Sequence, residues 1–124
     1  MNCHTAMNEV KAVIQDYIDG TYEADVDKLK GVFADNAVMN GYLGPDCVLA
    51  TPSVFVDDIA SAPSMKSAGD AYDAQIESIH IEGDIASVVV SETGFRGSAT
   101  LVDIFQLVKI DGAWKIVAKL FTTK

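Results

Sequence analysis

Positive charge is what this chain has least of. Its 124 residues include nine lysines and arginines against eighteen aspartates and glutamates, a formal net charge of −9. That balance repels phosphate backbones and anionic headgroups, so nucleic acid and membrane surfaces are not expected as partners. Cysteine is confined to Cys3 and Cys47, whose separation fits no metal or redox motif, and the pair reads as two reduced thiols of a cytoplasmic protein. Histidine is as scarce. His4 falls in a loose N-terminal segment and His80 on a strand beside Glu82, neither with partners at metal-ligand spacing, so no metal and no cofactor is expected. No apolar run approaches the ~18–20 residues of a membrane-spanning helix. The first eight residues are polar and carry no signal-like basic-then-apolar pattern, in keeping with a cytoplasmic location. There are no repeats, no strained GxSxG elbow and no phosphate-cradling glycine loop, because Gly94 and Gly97 join strands rather than open a helix. Asp16, Asp19, Asp57 and Asp58 read as solvated helix surface.

What is present describes one ordinary globular domain spanning 1–124: 49% apolar and 22% charged residues, in a length typical of a single core. Met7, Val10, Ile14, Tyr17 and Ile18 recur at spacings of three and four and predict a first helix ending near Gly20. Asp25 is a candidate N-cap for a short second helix burying Val26, Leu29, Val32 and Phe33. Asn36 to Leu43 reads as a strand stopped by Gly44-Pro45. Thr51-Pro52 opens a third helix with Val54, Phe55 and Ile59 inward, ended by Pro63. Residues 61–69 read as loop. Four strands follow: Ile76–Ile81, Ile85–Val90, Leu101–Ile110 and Trp114–Phe121. The expected class is therefore α+β, about three N-terminal helices packed on a strongly curved antiparallel sheet that closes over a pocket.

Asp111-Gly112 is the clearest hairpin signal, since a type I′ turn needs positive φ at both central residues. Counting back from it pairs Ile110 with Ala113 and sets Asp103 opposite Leu120. One face then carries Leu101, Asp103, Phe105 and Leu107 with Trp114, Ile116, Ala118 and Leu120; a bulge would invert the assignment for the last strand. Asp103 is the anomaly on that apolar face. A carboxylate there must be paired, bonded to backbone amides, or kept protonated as a pocket acid. Tyr17, on the apolar stripe of the first helix, is either plain core or a pocket hydroxyl.

The segment from Tyr17 to Ala37, YIDGTYEADVDKLKGVFADNA, resembles ketosteroid isomerases and their SnoaL-like relatives in the nuclear transport factor 2-like superfamily. VDIFQLVKIDG, from Val102 to Gly112, resembles the isomerase strand in which an acidic residue precedes a hydrophobic residue and a phenylalanine. NGYLG at 40–44, TPSVFVDDI at 51–59 and FQLVKIDGAWKIVAKLF at 105–121 are similar to the branch described as putative lumazine-binding, and that similarity covers nearly the whole chain. The resemblance implies a cone-shaped, cystatin-like fold that dimerises through the outer face of its sheet. It places Tyr17 as the donor to a developing oxyanion and Asp103 as the second, protonated donor, a carboxyl kept neutral by an apolar site. The place of the carboxylate base falls on Gly41, which has no side chain, and its neighbour Asn40 cannot act as a base.

The reading that results is a small-molecule-binding protein. Tyr17 and Asp103 would anchor an oxygen, and the pocket of Phe33, Met39, Asn40, Gly41, Phe55, Phe105 and Trp114 would hold a flat, largely apolar or aromatic body. The alternatives are a metal-free isomerase, dehydratase or cyclase-type enzyme whose base lies elsewhere, and a dimeric interaction module using Val102, Ile104, Val108, Val117 and Phe121 on the outer sheet face.

Overall fold

The computed structural model describes residues 3–124. The thiol of Cys3 lies outside the described side chains, and Cys47 is free and exposed. Helix α1 spans Cys3–Glu23, so His4 sits in its first turn rather than in a loose segment. The apolar stripe of α1 is buried at Val10, Ile14, Tyr17 and Ile18. The helix runs one turn beyond Gly20, whose missing side chain lets Leu29 of the next helix approach; a Cβ there would stand 2.9 Å from Leu29 Cγ. Helix α2 (Val26–Val32) starts where expected, the Asp25 carboxylate accepting from Lys28 N–H at 3.1 Å. Helix α3 is Pro52–Ala60, with Phe55, Val56 and Ile59 buried. A single-turn helix α4, Met65–Ala68, occupies the stretch that reads as loop; Ser64 caps it and buried Met65 anchors it.

Six strands form one curved sheet: β1 (Phe33–Leu43), β2 (Asp46–Ala50), β3 (Asp73–Glu82), β4 (Ile85–Phe95), β5 (Ala99–Ile110) and β6 (Ala113–Thr123). Their order is β2-β1-β6-β5-β4-β3. The sheet is mixed rather than wholly antiparallel, because β1 lies parallel to β6. Strand β2 has no counterpart among the sequence expectations. It is short and closes a hairpin with β1 through Gly44-Pro45, pairing Leu43 with Asp46. The helices cover the concave face, and one core joins the α1 stripe to Val88, Val90, Phe105, Leu107, Trp114 and Ile116.

The register of β5 against β6 begins as the hairpin dictates, Ile110 opposite Ala113 and Leu107 opposite Ile116, and then slips: Gln106 faces Ala118, leaving Val117 as an extra residue. This is a β-bulge. Past it every side chain of β6 changes face. Asp103 pairs with Phe121 rather than Leu120, and Phe105 with Lys119. Ala118 and Leu120 therefore leave the core face, Leu120 being exposed, while Lys119 and Phe121 enter it and are buried. Phe121 is correspondingly removed from the outer face.

Candidate functional site

The sheet's inner face presents a row of three strands at this point. Val88, Val90 and Glu92 of β4 stand opposite Phe105, Asp103 and Leu101 of β5, and β6 adds Lys119 and Phe121. Glu92, Asp103 and Lys119 are thus diagonal neighbours on one face, and all three are buried, at 3%, 0% and 5% exposure. Tyr17 descends on them from α1. Its hydroxyl accepts a hydrogen bond from Lys119 Nζ at 2.5 Å, and the nearer Asp103 oxygen is 3.9 Å from the same nitrogen. Lys119 also lies against three rings, 4.4 Å from the centroid of Phe55, 4.9 Å from Tyr17 and 5.4 Å from Phe121. An ammonium facing π-clouds is stabilised as a cation.

Tyr72, just ahead of β3, donates its hydroxyl to Glu92 Oε1 at 2.9 Å. Burial first, and the charge of Asp103 second, push Glu92 up to about 8 against the pull of Lys119. Burial, then the charges of Asp103 and Glu92, hold Tyr17 well above its ordinary range, so it is a phenol and not a phenolate. No hydrogen bond of ordinary geometry reaches either oxygen of Asp103 among the described residues; Lys119 and the protonated Glu92 carboxyl beside it are its polar neighbours.

A cavity of about 220 Å³ opens above this cluster. Tyr17, Glu92 and Lys119 form its polar floor. Met39, Phe55, Phe95, Leu101 and Phe121 form apolar walls, and Leu43, Val48 and Val54 stand around it from the β1–β2 hairpin and α3. At its edge Asp58 is tied by Arg96, whose Nη2 donates to the Asp58 carboxylate at 3.1 Å.

Of the residues expected at a pocket, Tyr17, Met39 and Phe55 line this cavity. Asp103 belongs to the cluster but sits behind the wall. Phe33 and Phe105 pack edge-on against Tyr17, at 6.2 and 4.8 Å between centroids, and are core rather than wall. Asn40 is spent on the β1–β2 hairpin, its side-chain oxygen accepting from Ala50 N–H at 3.1 Å. Gly41 lies against β6 so closely that a Cβ would run into the backbone carbonyl of Phe121. Trp114 lines a different cleft, between α1, α2 and the β5–β6 turn, and its indole N–H has no acceptor among the described residues. No group of histidines, cysteines and carboxylates that could hold a metal occurs among the described residues.

Sequence reasoning missed Lys119 and Glu92. For Glu92 a signal existed: Ala86, Val88 and Val90 share its parity, while the other parity carries Ser87 and Ser91. For Lys119 there was none, because its face depends on the bulge.

Helices packed on a six-stranded curved mixed sheet are the architecture of nuclear transport factor 2-like proteins. Three solved structures match it closely. One from Silicibacter pomeroyi, described as an NTF2-like protein of unknown function, has a TM-score of 0.88 and 19% identity, covering 100% of both chains. One from Shewanella baltica with the same description has a TM-score of 0.87 and 23% identity, covering 100% of this chain and 98% of the other. A cystatin-like domain of unknown function from Nostoc punctiforme reaches a TM-score of 0.75 at 14% identity, covering 99% and 80%. The chain belongs to the family described as putative lumazine-binding, whose profile matches residues 5–122. Among curated proteins there is no match.

Proposed function

We propose that this protein binds a small, flat, largely apolar molecule and anchors one of its oxygens at Lys119 and Tyr17. The observation that carries the reading is Lys119 itself. A buried ammonium with three N–H donors makes one hydrogen bond, to Tyr17, has Asp103 at 3.9 Å behind it and aromatic rings beside it, and borders the cavity with donors to spare. Leaving charged donors unpaired is costly, and a ligand oxygen completes their set. The cavity, at about 220 Å³, is smaller than the ~300–1,000 Å³ clefts of drug-sized ligands, which favours one or two rings over a steroid. Lumazine, a two-ring carbonyl compound named in the family's description, is a probe of matching size. The test is native mass spectrometry of the protein with and without added lumazine or other small aromatic carbonyl compounds. A non-covalent mass held by wild type and lost in Lys119→Met supports the reading. Identical bare spectra for both proteins with every compound would overturn it.

A second reading, a metal-free isomerase, dehydratase or cyclase related to the ketosteroid isomerases, is favoured by Glu92. It lines the cavity and is pushed up to about 8, close to where a group moves protons efficiently near neutral pH. It would take the part that Gly41 cannot. Dimerisation through the outer sheet face belongs to the same proposal, supported by exposed Val38, Ile104 and Leu120. So does a cytoplasmic location, which the exposed free thiol of Cys47 favours.

A further inference from the structure

The buried cluster has a charge balance that a ligand must respect. The titratable groups facing Asp103 and Glu92 are Tyr17 from α1, Tyr72 from ahead of β3 and Lys119 from β6. Asp58 at the cavity edge is already tied to Arg96. Among the described residues, Lys119 is the one cation on the cavity wall. With Lys119 charged and one carboxyl ionised the cluster is neutral. With both carboxyls ionised it carries one net negative charge in a buried place where an uncompensated ion is costly.

Two features point to the kind of oxygen that fits. The ammonium has two N–H donors beyond the one given to Tyr17, and the Tyr17 hydroxyl, accepting from Lys119, keeps its own proton to donate. A lone carbonyl oxygen would leave part of this set unused; the two oxygens of a carboxylate match it. Phe55 and Phe121, flanking the same nitrogen, suit an aromatic body. An anion entering beside Lys119 would, however, make the cluster negative unless a proton arrived with it, and Asp103, whose oxygens have no hydrogen bond among the described residues and whose ion-pair partner Lys119 would turn to the ligand, is positioned to accept one.

We propose, resting on the reading of this cavity as a ligand site, that its ligand class is an aromatic carboxylic acid, bound as the carboxylate at Lys119 and Tyr17 together with one proton taken up by the Asp103–Glu92 pair. No covalent bond is made or broken; the pair gains the proton from solvent and returns it on release.

Isothermal titration with benzoate and with its neutral counterpart benzamide tests this. Each is measured in two buffers of different protonation enthalpy, so that the heats count protons. Wild type is expected to take up about one proton per benzoate, with affinity falling about tenfold per pH unit wherever the uptake is one proton. Benzamide should bind at least about tenfold more weakly, independently of pH. In Asp103→Asn with Glu92→Gln both proton acceptors are gone, so benzoate should bind without proton uptake and with a flat pH profile. Benzoate binding to wild type with no proton uptake, or benzamide binding as tightly, overturns the inference and leaves the pocket intact as a ligand site. If neither compound shifts the ring resonances of Phe55 and Phe121, the ligand-site reading falls as well.

Discussion

Glu92 is the residue whose cost is most directly measurable. Its carboxyl titrates near 4.5 in an unfolded chain and near 8 in the folded one, so between those values the native state holds a proton that the unfolded state has released. Stability must then fall as pH rises through that window, and be free of this penalty below it. Replacing Glu92 by Gln removes the titration but keeps the shape and an oxygen for Tyr72. The variant is expected to gain on wild type progressively from about pH 5 to about pH 8, by a few kcal/mol at the upper end, and to match it near pH 5. Urea unfolding at a series of pH values reads the difference; parallel curves would mean that the carboxyl is not protonated in the fold. Gly41 is the second telling residue. Its emptiness is the reason that no base stands at the expected place, and the structure gives that emptiness a mechanical cause in the backbone of Phe121. Gly41→Ala should therefore destabilise by ~1–3 kcal/mol through overpacking, whatever the ligand. A neutral alanine would show that β1 and β6 can part, and would reopen position 41 to a side chain.

At the scale of elements, the Val117 bulge decides the chemistry. Without it the last strand would offer Ala118 and Leu120 to the cone and send Lys119 to solvent. Deleting Val117, the residue without a partner, should restore an unbroken ladder while keeping Ile116 opposite Leu107 and Ala118 opposite Gln106, so Lys119 stays opposite Phe105 on the inner face. Lys119 would then resist amine acetylation by burial as in wild type, and any pocket ligand should be retained. Peptide mapping of the acetylated protein checks this, and a Lys119 that becomes acetylated in a folded deletion variant would contradict the register argument. The same element marks the limit of what the sequence tells. Local signals were legible. Asp25 caps α2, Pro52 opens α3, and Asp111 and Gly112 adopt φ of 50° and 83°, as the hairpin required. Tyr17 and Asp103 could be picked out because one lies on a helical stripe and the other interrupts an apolar face. Non-local outcomes were not legible. Strand β2 is five residues long with two half-buried apolar positions, Val48 and Ala50, on either side of exposed Leu49, too short a run to establish a period-two pattern. The parallel pairing of β1 with β6 joins segments some eighty residues apart. A bulge leaves the composition untouched and shows only in the pairing.

At the scale of the whole molecule, the convex face of the sheet is the feature that a single chain leaves unexplained. Ile104 and Leu120 are direct cross-strand partners, at 39% and 47% exposure, and half-buried Val102 and Val117 share their face. Apolar neighbours paired across a sheet face and left in water are an association surface more often than a solvated one. The −9 net charge does not oppose this, because the patch itself is neutral and like-charge repulsion at the rim is screened beyond about 8 Å at physiological salt. If two copies meet there, the same residues face each other across a twofold axis, so each substitution acts twice on one interface. Ile104→Glu combined with Leu120→Glu would place four carboxylates in it and should convert a dimer wholly to monomer at micromolar concentration. The helices that build the cavity lie on the opposite side of the sheet, so ligand retention by the separated monomers should persist. Sedimentation equilibrium on both proteins, followed by the ligand measurement on the monomer, separates the two roles of the sheet. Wild type sedimenting as a monomer would leave the convex face to a different partner, and a monomeric variant that loses its ligand would mean that the outer face helps to hold the cone open.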